Sequence, residues 1–188
     1  LGSTPNSSTK ILKLSFNKQL LFGLSCVKRM ESHLENYLAI NGKTSNSVAI
    51  GKLIDKILLS CNSDIFYRIK ELIDDDDIDL VKQMIPDSEE DGSVEAVLAQ
   101  NAAIALAYCL NFTKDHNSDF INYCGQKTVE TTDVIALGLQ QLESSDLLIS
   151  EELTIQSQIL EAIDNMRRDF DREDIEEFKQ IITKLKIG

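Results

Sequence analysis

The chain has 188 residues, is 43% apolar and 27% charged, and carries a net charge of −12 at neutral pH. That size suits one compact domain whose core needs neither disulfide nor metal. The acidic balance repels phosphate backbones, so nucleic acid is not expected as a partner. No run of about 18 apolar residues exists, Ala102 to Leu110 being the longest stretch, so no membrane-spanning helix is expected.

The charge is uneven. Residues 1–70 carry ten Lys or Arg against four Asp or Glu, giving +6, whereas residues 71–188 carry nine against 27, giving −18. Cys26, Cys61, Cys109 and Cys124 are far apart in sequence and lie in apolar-periodic stretches. They read as small core hydrophobes of a reducing compartment, which implies a cytoplasmic protein. The small polar residues Leu1 to Lys10 are read as a disordered or tag-like terminus with no signal-peptide core, leaving residues 11–188 as a single domain.

In chain order, Phe16, Leu20, Leu24, Val27, Leu34 and Leu38 predict a long helix from Ser15 to Ile40, closed by Asn41-Gly42. A turn over Gly42 to Asn46 follows. Ser47 is expected to cap a second helix and Ser63 a third, the latter with Phe66, Ile69, Leu72 and Ile73 inward. The acids Asp74 to Asp77 suit the N-terminus of a short helix over Asp76 to Ile85, stopped by Pro86. Pro86 to Gly92 predicts a loop.

Ser93 then caps the most apolar helix, Val94 to Leu110, rich in alanine and polar only at Glu95, Gln100 and Asn101. A helix apolar nearly all round is buried, so it is the expected centre of the fold. Further helices are predicted over Ser118 to Leu137, from Ser150 through Met166, and over Asp171 to Leu185, with a break over Leu139 to Ser150. No stretch alternates as a strand does, and the pattern predicts an all-α, single-domain bundle of seven or eight helices.

Four stretches, taken together, resemble one family. They are Phe16 to Tyr37 (with Cys26, Arg29, Met30 and Tyr37 in a CxxRM…Y pattern), Ile85-Pro86-Asp87 followed by Ser93, the alanine-rich run Ala99 to Leu106, and the helix around Thr128 to Ile135. In order and spacing they are similar to the YjaG-like family of bacterial proteins, a domain of unknown function numbered 416. The resemblance spans Lys13 to Met166. It implies a bacterial cytosolic all-α protein and brings with it no reaction and no site residues.

Motifs for known chemistry were weighed in turn. A calcium loop starting at Asp87 would need Glu where Leu98 stands, and one starting at Asp75 would need Gly where Leu80 stands. Cys109 and His116 are seven residues apart and would share a face only if one helix held both. Gly42-Lys43-Thr44 lacks the preceding glycine and strand of a phosphate-binding loop. Arg167-Arg168 reads as surface ion pairing, with Arg168 set four residues from both Asp164 and Arg172.

No cofactor is implied and no metal site is assigned. Arg29, Tyr37, Asn101 and Thr128 are polar residues in mostly apolar helical stretches, and they are the candidate pocket residues. The functional expectation is a non-enzymatic interaction protein, with a homodimer or a basic protein as partner and no role for nucleic acid or membrane. An acidic inhibitor of a basic toxin or nuclease is one form of it. The alternative is a metal-assisted enzyme using the ten acids between Asp74 and Glu95.

Overall fold

The computed structural model describes residues 7–62 and 66–188, and every regular element among them is helical. In order these are α1 (Ser7–Leu12), α2 (Phe16–Ile40), α3 (Thr44–Leu58), α4 (Ile69–Leu72), α5 (Asp75–Gln83) and α6 (Ser88–Asp91). There follow α7 (Val94–Asp115), α8 (Asp119–Val134), α9 (Asp146–Asp164) and α10 (Arg172–Thr183). A 3-10 turn, Phe66–Arg68, precedes α4, and a π-helical stretch, Ile135–Leu139, extends α8. Seven of the helices have nine residues or more, as the periodicity predicts.

The core is a three-helix layer of α2, α7 and α8, in which each helix packs on the other two. On α7, Ala96, Ala99, Ala102, Ala103 and Ala105 are all buried, and these small side chains let the neighbours approach closely. Where α2 crosses α7 and α8, a Cβ on Gly23 would lie 2.9 Å from Ile121 Cδ1 and 3.0 Å from Cys109 Sγ, so a larger residue there would force these side chains to shift. Around this layer, α3 and α10 pack on α2, α5 and α6 pack on α7, and α9 packs on α8 and α2. By length and composition α7 could cross a membrane, but 67% of its most apolar window is buried in the fold, which marks it as the central core helix.

Local signals fixed several helix ends. Ser15 caps α2 and Ser93 caps α7 through side-chain acceptance of backbone N–H groups. Asp74 and Asp171 each build a capping box with the acid three residues on, Asp77 and Asp174.

Other ends differ from expectation. The polar stretch through Lys10 is helical from Ser7 onward, held by Lys10 Nζ donating to Ser157 Oγ at 2.8 Å; residues 1–6 lie outside the described set, as does Ser63, the expected cap of the third helix. α3 starts at Thr44, so Ser47 is buried inside it. Pro86 to Gly92 holds the single turn α6, capped by Asp87. α7 runs five residues past Leu110, and α9 begins at Asp146, so Ser150 is not its cap. Arg167 pairs with Asp171 and Asp174, whereas among the described residues Arg168 makes no ion pair with Asp164, four residues before it.

Candidate functional site

The most polar part of the interior lies where α2, α8 and α9 meet. Arg29, on the buried face of α2, is only 1% exposed. Its Nη1 donates to Glu152 Oε1 at 2.9 Å and its Nη2 to Glu152 Oε2 at 2.6 Å, a bidentate pair between α2 and α9. Its Nε donates to the Leu185 carbonyl at 2.7 Å. Gln156, one turn beyond Glu152, donates through Nε2 to Thr128 Oγ1 at 2.7 Å and is also within 3.0 Å of the Gly125 carbonyl and 3.2 Å of Glu152 Oε1. Thr128 itself donates to the Gly125 carbonyl at 2.7 Å. A Cβ on Gly125 would sit 3.0 Å from Gln156 Oε1, so the bare glycine lets α9 approach α8.

The segment after α10 is tied to the same place. The Ile187 N–H donates to the Arg29 carbonyl at 3.1 Å, and His33 Nε2 donates to the Ile187 carbonyl at 2.6 Å. At the Arg29–Glu152 pair opens a cleft of about 310 Å³, lined by Thr132, Ile135 and Gln140 from α8 and its π-helical extension with its C-cap and by Leu148, Glu151 and Ile155 from α9. The π-helical stretch supplies Ile135 to this lining; such stretches are frequent at functional sites.

The four candidate pocket residues divide. Arg29 and Thr128 join one network through Glu152 and Gln156. Asn101 is buried nearby but donates elsewhere, to Thr131 Oγ1 at 3.3 Å, and Thr131 donates on to Met30 Sδ at 3.1 Å. Tyr37 lies apart at the surface and donates to Asp91 Oδ2 at 2.8 Å. That bond pushes the phenol pKa up, while Ser93 and then Tyr37 hold the Asp91 carboxyl below its ordinary value.

Glu152 and Gln156 escaped the sequence reading. The apolar spacing puts Leu153, Ile155, Ile159, Leu160, Ile163 and Met166 on the inner face of the helix predicted from Ser150; in α9 Ile159, Leu160 and Ile163 are buried there, but Leu153 is 46% exposed and the buried stripe continues through Gln156 and Glu152. The signal was there: two polar residues four apart, in helical phase with Ile159 and Ile163.

The acidic junction is occupied with helix capping. Asp77 N–H donates to Asp74 Oδ1 at 2.8 Å, Asp87 Oδ1 accepts from the N–H groups of Glu89 and Glu90, and Asp91 accepts from both N–H and hydroxyl of Ser93. Among the described residues no three His, Cys, Asp or Glu side chains are grouped to hold a metal ion. Cys109 is buried with its Sγ 3.7 Å from Cys124 Sγ, whereas His116 is exposed beyond the end of α7, its ring 4.8 Å from that of Phe16. A larger groove of about 770 Å³ runs past Phe16, Lys18, Tyr67 and His116.

No family model matches the chain, and no curated protein matches it. Among solved structures, it is similar to a DUF416 family protein from Shewanella baltica OS155, with a TM-score of 0.78 and 12% identity over 97% of this chain and 95% of that one. The helices of this chain therefore adopt the fold of a DUF416 family protein, the all-α architecture that the sequence resemblance implies.

Proposed function

We propose that the chain is a non-enzymatic interaction protein of the cytoplasm that pairs with a second copy of itself through the corner between α8 and α9. The observation that supports this most is the exposure of Leu137, Leu139, Leu142 and Leu147, at 45%, 48%, 43% and 71%. Large apolar side chains gathered in one exposed segment are typical of contact surfaces. Residues 134–142 contain no charged side chain, although they lie in the stretch 71–188 that carries −18. A basic partner is drawn to carboxylates, whereas an uncharged apolar face is best matched by its own copy across a two-fold axis. The cytoplasm is supported by four buried free cysteines, two of them neighbours and unbridged.

Light scattering after size exclusion tests the reading. A dimer is expected, and Leu147→Asp is expected to give a folded monomer. Each copy carries −12, so added salt screens their repulsion and tightens the dimer. Binding to a basic protein would weaken with salt instead. A wild-type chain that stays monomeric at high salt and high concentration overturns the proposal.

A further inference from the structure

The cleft over Arg29 is lined by balanced charge although the chain as a whole is acidic. Two cations, Arg29 and Lys186, and two anions, Glu151 and Glu152, line it. Arg29 and Glu152 are held rigid by their bidentate bonds, while Glu151 and Lys186 stand exposed at the rim. Three of the five guanidinium N–H groups donate among the described residues, which leaves one on each Nη. Among the described residues Glu152 Oε2 accepts from Arg29 alone, which leaves it a lone pair. Ile135, Leu148 and Ile155 give the cleft an apolar wall between these charges.

Each class of small ligand meets this pattern differently. A simple anion is attracted by Arg29 and repelled by the two glutamates, and a simple cation suffers the reverse. A neutral apolar molecule would cover the exposed Glu151 and Lys186 without replacing their water. A zwitterion with an apolar side chain satisfies both signs and the wall. At about 310 Å³ the cleft is at the lower end of small-molecule sites, which are commonly about 300–1,000 Å³.

We propose that this cleft binds a free α-amino acid with an apolar side chain. The carboxylate faces Arg29 and Lys186, the ammonium faces Glu151 and Glu152, and the side chain lies on Ile135, Leu148 and Ile155. The inference is independent of self-association, although Ile135 and Leu148 adjoin the exposed leucine corner.

Calorimetric titration of the full chain with L-leucine, L-methionine and L-phenylalanine tests it. At least one is expected to bind, while 4-methylpentanoate, isopentylamine and glycine, which lack the ammonium, the carboxylate and the side chain, bind at least about tenfold more weakly. Leu148→Trp, which fills the cleft from its rim, is expected to weaken binding about tenfold or more. Glu151→Lys, at an exposed rim position, is a second variant whose folding is not at risk and is expected to weaken binding too. No heat with any of the three amino acids overturns the proposal, as does binding that both variants leave unchanged. Equal binding of 4-methylpentanoate also overturns it, because the site would then read only an anion. Repeating the titration on Leu147→Asp separates the two proposals, since a monomer is expected to keep the affinity.

Discussion

Lys28 and Arg29 are neighbours on α2, and both make ion pairs that reach other helices. Lys28 Nζ lies 3.0 Å from Asp55 Oδ1 and also pairs with Glu31, and Lys179 of α10 lies 3.0 Å from Asp55 Oδ2. In that cluster the Asp55 side chain is 38% exposed and Lys179 is 24% exposed. One residue on, the rotation of the helix turns Arg29 inward, where it and Glu152 are 1% and 4% exposed. Water screens the Asp55 and Lys179 end of the first cluster, although Lys28 and Glu31 are 13% and 9% exposed, and hardly reaches the second. The lesson is that position in the helical turn, and not residue type, decides whether a charge pair is a minor surface contact or a feature whose halves depend on each other.

The largest test of that contrast removes one half of the buried pair. Glu152→Ala leaves Arg29 uncompensated and is expected to destabilise the chain by about 3–5 kcal/mol, read from urea unfolding. The double change Arg29→Met with Glu152→Leu is expected to recover most of the loss, because it removes both charges and fills their space. If the double variant is no better than Glu152→Ala, the pair is not a simple case of mutual compensation and the contrast breaks.

A smaller effect is expected one turn along α9. Gln156→Leu takes away the amide donors that reach Thr128, Gly125 and Glu152, while Thr128 and Arg29 still serve the last two acceptors. A loss of about 1–3 kcal/mol is expected by the same measurement. A cost as large as that of Glu152→Ala would make Gln156 an equal member of the pair.

The smallest effect belongs to the surface cluster. Asp55→Asn is expected to cost about 0.2–1 kcal/mol at pH 7 and low salt, and less in salt. Partial burial pushes the Asp55 carboxyl up, but Lys28 and Lys179 outweigh it and hold the pKa below its ordinary value. A carboxylate depressed in the folded state stabilises above its unfolded pKa, about 3.9, and that stability is lost as pH falls through the folded value. Glu31, which shares Lys28, is pushed up chiefly by burial and has the opposite sign; the Asp55 charge is its last-ranked cause, so the difference between wild type and Asp55→Asn reads mainly Asp55. Urea midpoints should separate the two chains at pH 7 and converge below about pH 4. A gap that widens on acidification contradicts the assignment.

Much of the scaffold was readable in advance. Ser15, Asp171 and Ser93 announced helix starts because a cap is a contact between residues two or three apart. The alanine-rich run marked the central helix because apolarity on every side leaves burial as the only option. Two starts whose N-cap side chain makes no bond were misplaced: α3 begins at Lys43-Thr44 and α9 at Ser145-Asp146. Of the pocket residues, Arg29 and Thr128 met and Tyr37 did not, because a polar residue in an apolar stretch signals burial but does not name its partner.

The sequence by itself determined the all-α class, the core helix α7, the acid-capped starts of α5 and α10, and the burial of the cysteines, all of which depend on periodicity and local contacts. Only the tertiary structure decided that Arg29 faces Glu152, 123 positions away, and that Gln156 joins Thr128. It also decided that Leu137 to Leu147 face outward and that a charge-balanced cleft opens over Arg29. Those outcomes depend on the rotation and register of α9 against α2 and α8. That register is set by side chains meeting across helices, where Gly125 admits Gln156.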